Sequence, residues 1–219
     1  MNFIENPDVL NIYHYGSYVY KTFDESTSDY DFLVIVSDTY PQSTKNVMPQ
    51  NDEPIDVDEV IFDKTYKNCQ IKIITLSNWK DMVERNTVEA LEVFWLDDEF
   101  VIKERAPLNY KLNYDFIREN VSKTASNSFV KCKKKLELTT DYRIGKKSLW
   151  HSLRLLMFGN QIMKYGKITN YSEANIYYDD IVKNENNDWS YYKEKYQKIY
   201  NSLKSQFKIN HELAKNKSS

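Results

Sequence analysis

Two carboxylates at the start of an apolar run are the residues best suited to chemistry in this chain. Asp29 and Asp31 lie two positions apart, and the run from Tyr30 to Val36 is rich in residues that form β-strands. Because strand side chains alternate between faces, both carboxylates are predicted to project from the same side. Carboxylates held this close repel each other unless a cation lies between them, and Mg²⁺ prefers such oxygen ligands. The pattern therefore predicts a divalent-cation site.

A Gly-Ser pair precedes these carboxylates. An alternating run from Val9 to Tyr15 predicts a strand that leads into Gly16 and Ser17, and Tyr18 to Phe23 is long enough for about one or two helical turns. Glycine lets the backbone approach a ligand closely, while N–H groups at a helix start and a serine hydroxyl bind anions. A triphosphate site is therefore predicted beside the cation.

The segment from Gly16 to Val36 resembles the signature of the DNA polymerase β superfamily of nucleotidyltransferases, in which Gly-Ser is followed by Asp-x-Asp. It is most similar to the predicted nucleotidyltransferases associated with RNA ligases, which carry Gly-Ser-x-x-Tyr-Gly-Thr and Ser-Asp-x-Asp. The matching positions are Gly16, Ser17, Tyr20, Thr22, Ser28, Asp29 and Asp31. Lys21 departs from the pattern, because that branch usually has glycine there.

This resemblance implies transfer of a nucleotidyl group from an NTP to a hydroxyl, for example of an RNA end, with Mg²⁺ or Mn²⁺. It implies catalysis and metal binding by Asp29 and Asp31, and nucleotide binding by Gly16, Ser17 and Ser28. The expected fold is α/β (α+β): a small mixed β-sheet core over residues 1–104, then a basic helical domain over residues 105–219.

The superfamily usually supplies a third carboxylate from a later strand. Aligning the predicted strand Cys69 to Leu76 with that strand places Gln70 at the third metal position. A glutamine cannot carry the negative charge, although its carbonyl oxygen can still contact a metal. Asp56 and Asp58, on the preceding predicted strand Ile55 to Phe62, are alternatives, but their alternation with apolar residues favours a solvent-facing role.

The two halves of the chain carry opposite charge. Residues 1–100 contain 7 Lys and Arg against 20 Asp and Glu, whereas residues 101–219 contain 23 against 12. In the basic half, Lys147, His151 and Arg154 share one face of a predicted helix that ends at Gly166. The resembling family has a Lys-x-x-x-His-x-x-Arg helix here, which favours phosphate binding over a solvated face or a core-edge histidine.

Other segments give coarser predictions. Residues 37–53 are predicted to form a long loop, residues 63–68 a hairpin connection and residues 78–85 a helix with Ser77 as its cap. From Thr87 an apolar helical face is expected, with Glu89 and Glu92 turned away. Further helices are predicted over residues 113–138 and 188–215, with residues 216–219 frayed.

Composition limits the class of protein. Aromatic residues make up 15% of the chain, which argues against disorder. The two cysteines, Cys69 and Cys132, are too few for a disulfide framework, and no signal peptide or membrane-spanning run is evident, so a cytoplasmic protein is expected.

Two rival functions remain open. A degenerate nucleotidyltransferase fold could bind nucleotide, RNA or a protein without chemistry, and Gln70 and Lys21 favour that alternative. The acidic half could instead serve as an antitoxin-like interaction module. The family resemblance also implies an RNA ligase as a partner.

Overall fold

The computed structural model describes residues 3–40, 55–61 and 64–218. The chain divides into two compact units. The N-terminal unit comprises Met1–Glu84 and Glu92–Lys111, and the C-terminal unit comprises Arg85–Leu91 and Leu112–Ser219.

The N-terminal unit is built on a mixed sheet of five strands. The strands are β1 Val9–Tyr15, β2 Tyr30–Val36, β3 Ile55–Ile61, β4 Lys64–Thr75 and β5 Val101–Glu104. Their order in the sheet is β3-β4-β2-β1-β5, so β2 lies at the centre, and it pairs in parallel with β4 and antiparallel with β1. The sheet and the helices confirm the α/β prediction.

One face of this sheet carries a cluster of buried residues. Alternation along β1, β2 and β4 places apolar side chains on that face, and their burial supplies the hydrophobic stabilisation of the sheet. The buried residues are Val9, Ile12, Phe32, Val34, Val36, Cys69, Ile71 and Ile73.

Six α-helices complete the described chain, and the longest three lie in the C-terminal unit. Helix α4 is buried along most of its length, and a Cβ atom at its Gly159 would lie 2.7 Å from the Phe207 ring. Glycine therefore permits the close packing of α4 against the last helix. The helices are α1 Leu76–Glu84, α2 Val88–Phe94, α3 Tyr114–Glu137, α4 Tyr142–Tyr165, α5 Tyr178–Val182 and α6 Trp189–Ser218.

Several local predictions were wrong. Ser77 lies inside α1 rather than capping it, and its N–H donates to Asp38 Oδ1 at 2.9 Å. Strands β3 and β4 pair antiparallel, as the predicted hairpin requires, but residues 64–68 belong to β4 and not to the connection. Residues 216–218 are helical rather than frayed. The predicted loop from 41 to 53, together with residues 62, 63 and 219, lies outside the described residues. Gly166, at φ 72°, does end α4 as predicted.

Candidate active site

The Gly-Ser turn and the Asp-x-Asp strand meet at one point of the sheet. Tyr15, the last residue of β1, is the register partner of Asp31 on β2. Gly16 follows with φ +69°, and a Cβ atom on it would lie 1.9 Å from Asp31 Oδ2 and 2.7 Å from Asp31 Cγ. Only a residue without a side chain fits there, so the Asp31 carboxylate lies directly against the backbone of the turn.

Gln70 lies beside the two carboxylates. On the parallel strand β4 it is the register partner of Asp31, and its Nε2 donates a hydrogen bond to Asp29 Oδ2 at 3.1 Å. All three side chains are partly exposed. The structure thus brings together Asp29, Asp31 and Gln70 at the start of the central strand.

The segment after Gly16 is a series of turns and not the predicted helix. The N–H of Tyr20 donates to Gly16 O at 3.2 Å, and the N–H of Thr22 donates to Ser17 O at 3.0 Å. Lys21 adopts φ +60°, a left-handed conformation that glycine accepts most readily. Its position is the one at which the resembling branch has glycine, so this conformation gives a physical reason for that preference.

A buried hydrogen bond fixes this turn to helix α2. The Tyr20 hydroxyl donates to Glu92 Oε2 at 2.8 Å, and the two residues are 3% and 2% exposed. The prediction that Glu92 faces away from the core was therefore wrong. Sequence patterning missed the pair because a glutamate within an apolar helix resembles a solvent-facing residue, and no local signal identifies a partner far away in sequence.

Ser28 closes the loop that leads into the carboxylates. Its Oγ accepts from the N–H of Asp24 at 3.1 Å, and its own N–H donates to Asp24 O at 2.8 Å. This small closed loop sets the position from which Asp29 begins. A contact between Ser28 and a nucleotide stays a prediction.

The donor set fits one divalent cation. Asp29 and Asp31 supply the hard carboxylate oxygens that Mg²⁺ and Mn²⁺ prefer. Gln70 offers a further, neutral oxygen, Oε1, and the Nε2 atom of the same side chain donates to Asp29. Among the described residues no cluster of three His, Cys, Asp or Glu side chains could hold a metal. The side chains of Asp56 and Asp58 lie outside the described part of the chain.

The predicted phosphate-binding face lies on α4 of the C-terminal unit. Lys147 is exposed, whereas Arg154 is 5% exposed and its Nη2 donates to His151 Nδ1 at 2.9 Å. The Arg154 guanidinium also lies 4.8 Å from the Trp150 ring and 5.7 Å from the Phe158 ring. Phosphate binding by Lys147, His151 and Arg154 stays a prediction.

His151 is a neutral imidazole in this arrangement. Burial, followed by the positive charges of Arg154 and Lys131, holds the pKa of His151 well below its ordinary value. The bond from Arg154 also needs an unprotonated Nδ1 as its acceptor. His151 therefore orients the guanidinium rather than adding a charge of its own.

Residues 2–94 match the family model of the nucleotidyltransferase domain. The match spans both the Gly-Ser turn and the Asp-x-Asp strand, and it supports the resemblance to the polymerase β-like superfamily. It supports nucleotidyl transfer as the general activity and a nucleotide as a substrate. No curated protein matches the chain. None of the described helices is both long and apolar enough to span a membrane.

Proposed function

We propose that the N-terminal unit transfers a nucleotidyl group from an NTP to a hydroxyl acceptor in a reaction that depends on Mg²⁺ or Mn²⁺. The observation that carries the proposal is the contact between the Gly16 backbone and the Asp31 carboxylate. Two halves of a sequence motif, separated along the chain, come into contact there. The family match over residues 2–94 supports the same activity.

Asp29 and Asp31 would hold the cation. Such an ion lowers the pKa of an attacking hydroxyl and neutralises charge on the transferred phosphate and on the leaving pyrophosphate. Gly16 and Ser17 would contact the phosphates through the backbone and the Ser17 hydroxyl, with Ser28 beside them. The Tyr20–Glu92 bond holds the turn in place, and Gln70 orients Asp29.

An RNA end is the acceptor that the charge of the basic half favours. Phosphate contacts by Lys and Arg release condensed counterions, so binding that depends on them weakens as salt rises. We expect Lys147→Ala to reduce the salt dependence of RNA binding, with Lys193→Ala, an exposed lysine on α6, as the matched control. An unchanged salt dependence in Lys147→Ala would mean that Lys147 does not contact RNA phosphates. An RNA ligase is the partner that the family resemblance suggests.

A second candidate is nucleotide binding without transfer. Its specific support is Gln70, an amide that is the register partner of Asp31 and donates to Asp29. The Gln70 amide N–H donates a hydrogen bond to the Asp29 carboxylate, but the amide cannot act as a base or supply negative charge for a second ion.

The decisive experiment incubates the full chain with each of the four α-labelled NTPs, Mg²⁺ or Mn²⁺, and an RNA pool. We expect label on RNA, and loss of it in the double variant Asp29→Asn, Asp31→Asn. Glu84→Gln, an exposed carboxylate on α1, is the control and should retain activity. Metal-dependent NTP binding without label on any acceptor would favour the second candidate. Absence of both binding and transfer would contradict both.

A further inference from the structure

A cavity of about 280 Å³ opens at the β1–β5 side of the N-terminal unit. Its walls include Tyr13, Trp79, Phe94, Asp98, Glu104 and Pro107. It shares no residue with Gly16, Asp29, Asp31 or Gln70. The cavity is thus separate from the carboxylate pair, and a ligand here needs no contact with the metal.

Aromatic rings form the apolar walls of the cavity. The Tyr13 and Trp79 rings lie 6.5 Å apart at 37°, and the Phe94 ring stacks on Tyr110 at 3.8 Å and 30°. Trp95 also contacts Phe94, edge-on at 6.0 Å. Two neighbouring rings thus contact the Phe94 ring that lines the cavity.

The charged groups of the lining are acidic. Asp98 and Glu104 line the cavity, and no Lys or Arg is among its described lining residues. Burial and the adjacent Glu104 raise the pKa of Tyr13, so its hydroxyl stays protonated and donates to Glu104 Oε1 at 2.8 Å. The neighbouring Lys103 donates instead to the backbone O of Ile4 at 2.5 Å. The cavity therefore combines aromatic faces with negative charge.

We propose that this cavity binds a small organic cation with a flat apolar body, such as an aromatic amidine. Carboxylates attract the positive head, and a ring face attracts a cation as well. The cavity volume lies just below the range of about 300–1,000 Å³ for ligand pockets, so the ligand is small. The same charges repel a nucleotide phosphate, so the cavity does not duplicate the NTP site.

The cavity lies on the same face of the sheet as the catalytic carboxylate. Tyr13 and Tyr15 are two positions apart on β1 and so share a face, and Tyr15 pairs with Asp31. From the rise along a strand and the spacing between strands, the Tyr13 and Asp31 Cα atoms lie roughly 8 Å apart. The cavity and Asp31 are therefore neighbours on one face of the sheet.

Three probes of nearly equal shape test the proposal by calorimetric titration of the full chain. Benzamidine is cationic, benzamide is neutral and benzoate is anionic. We expect benzamidine to bind at least about tenfold more tightly than benzamide, since the neutral probe loses the carboxylate and cation–π attraction, and benzoate not to bind. Equal binding of the three probes, or no binding of benzamidine, would overturn the proposal.

Matched variants locate the probe. Asp98→Asn and Glu104→Gln remove one charge each, and the glutamine still offers Tyr13 an acceptor oxygen. We expect each to weaken benzamidine binding severalfold, whereas Glu99→Gln, in the same short 3-10 helix but outside the lining, should bind like wild type. Asp31→Asn should also bind like wild type. If Asp31→Asn lost benzamidine binding while the lining variants kept it, benzamidine would lie at the carboxylate pair, and the cavity site would be refuted.

Discussion

Replacing Gly16 by alanine should abolish the proposed cation binding while leaving the fold intact. The new Cβ would lie 1.9 Å from Asp31 Oδ2, where ordinary contacts begin at 3.4 Å. The Asp31 carboxylate must therefore move by more than about 1 Å. Since β2 is paired on both sides, the strand cannot shift, and the side chain must rotate away from the turn. Asp29 and Asp31 would then no longer share a cation.

Gly166 provides a matched control for this change. It has φ +72°, close to the +69° of Gly16, but the nearest atom to an added Cβ is Leu112 Cδ1 at 3.9 Å. Alanine at either position incurs the left-handed backbone cost, about 1 kcal/mol, whereas only Gly16→Ala forces the carboxylate away. The difference between the two variants therefore isolates the contact with Asp31.

Mn²⁺ binding followed by electron paramagnetic resonance, with and without NTP, measures the effect without relying on activity. We expect wild-type affinity in Gly166→Ala and loss of the high-affinity site in Gly16→Ala. Thermal melts should show a comparable backbone cost in both variants, with stabilisation by Mn²⁺ retained in Gly166→Ala alone. Wild-type Mn²⁺ affinity in Gly16→Ala would refute the contact between the turn and the metal site.

Three further predictions concern the same site. Lys21→Gly should raise the free energy of unfolding by up to about 1 kcal/mol in denaturant titrations, because glycine accepts φ +60° without strain. Gln70→Asp should lower the melting temperature in chelator, since it replaces the N–H donor to Asp29 with a third carboxylate, and Mg²⁺ should restore it. Tyr20→Phe should destabilise the protein by about 1–3 kcal/mol in denaturant titrations, because the buried Glu92 carboxylate loses a donor.

Each prediction has its own control. Lys21→Ala keeps the strained backbone. If it raised the free energy of unfolding as much as Lys21→Gly does, the loss of the lysine side chain, and not relief of the positive φ, would be the cause. A Gln70→Asp variant that responds to Mg²⁺ no more than wild type would place Gln70 away from the metal, with Asp56 or Asp58 as the remaining candidates. The control for Tyr20→Phe is the same change made in a Glu92→Gln background. A neutral side chain at position 92 should lower the stability cost of losing the Tyr20 hydroxyl. If Tyr20→Phe lowers the free energy of unfolding by similar amounts with and without Glu92→Gln, the charge of the carboxylate is irrelevant.

Local sequence patterns predicted the elements of the site but not the contacts that fix them. Strands β1 and β2 have the predicted bounds, because an alternating or apolar run can be recognised from a few consecutive residues. The sequence predicts Ser77 as the cap of α1. In the structure the N–H of Ser77 instead donates to Asp38, which lies 39 residues earlier in the chain. The Ser77 N–H in turn lowers the pKa of Asp38. No pattern within one helix shows such a partner.

The same limit explains the buried polar groups. Glu92 is paired with a tyrosine 72 residues earlier, so its burial depends on tertiary structure rather than on the period of α2. On α4, the shared face of Lys147, His151 and Arg154 follows from helical spacing, but the low exposure of Arg154 does not. Burial of a charged side chain is decided by its neighbours in space.

The order of the strands gives the two candidate binding regions different local stability. Asp31 belongs to β2, whose backbone is hydrogen-bonded to a neighbour on each side, whereas Val101 and Glu104 of the cavity belong to β5 at the edge. Edge strands open by local fluctuation more readily than central ones, and their amide hydrogens exchange with solvent sooner. We therefore expect the amide hydrogens of the β5 wall to exchange with solvent sooner than those of the strand that carries Asp31.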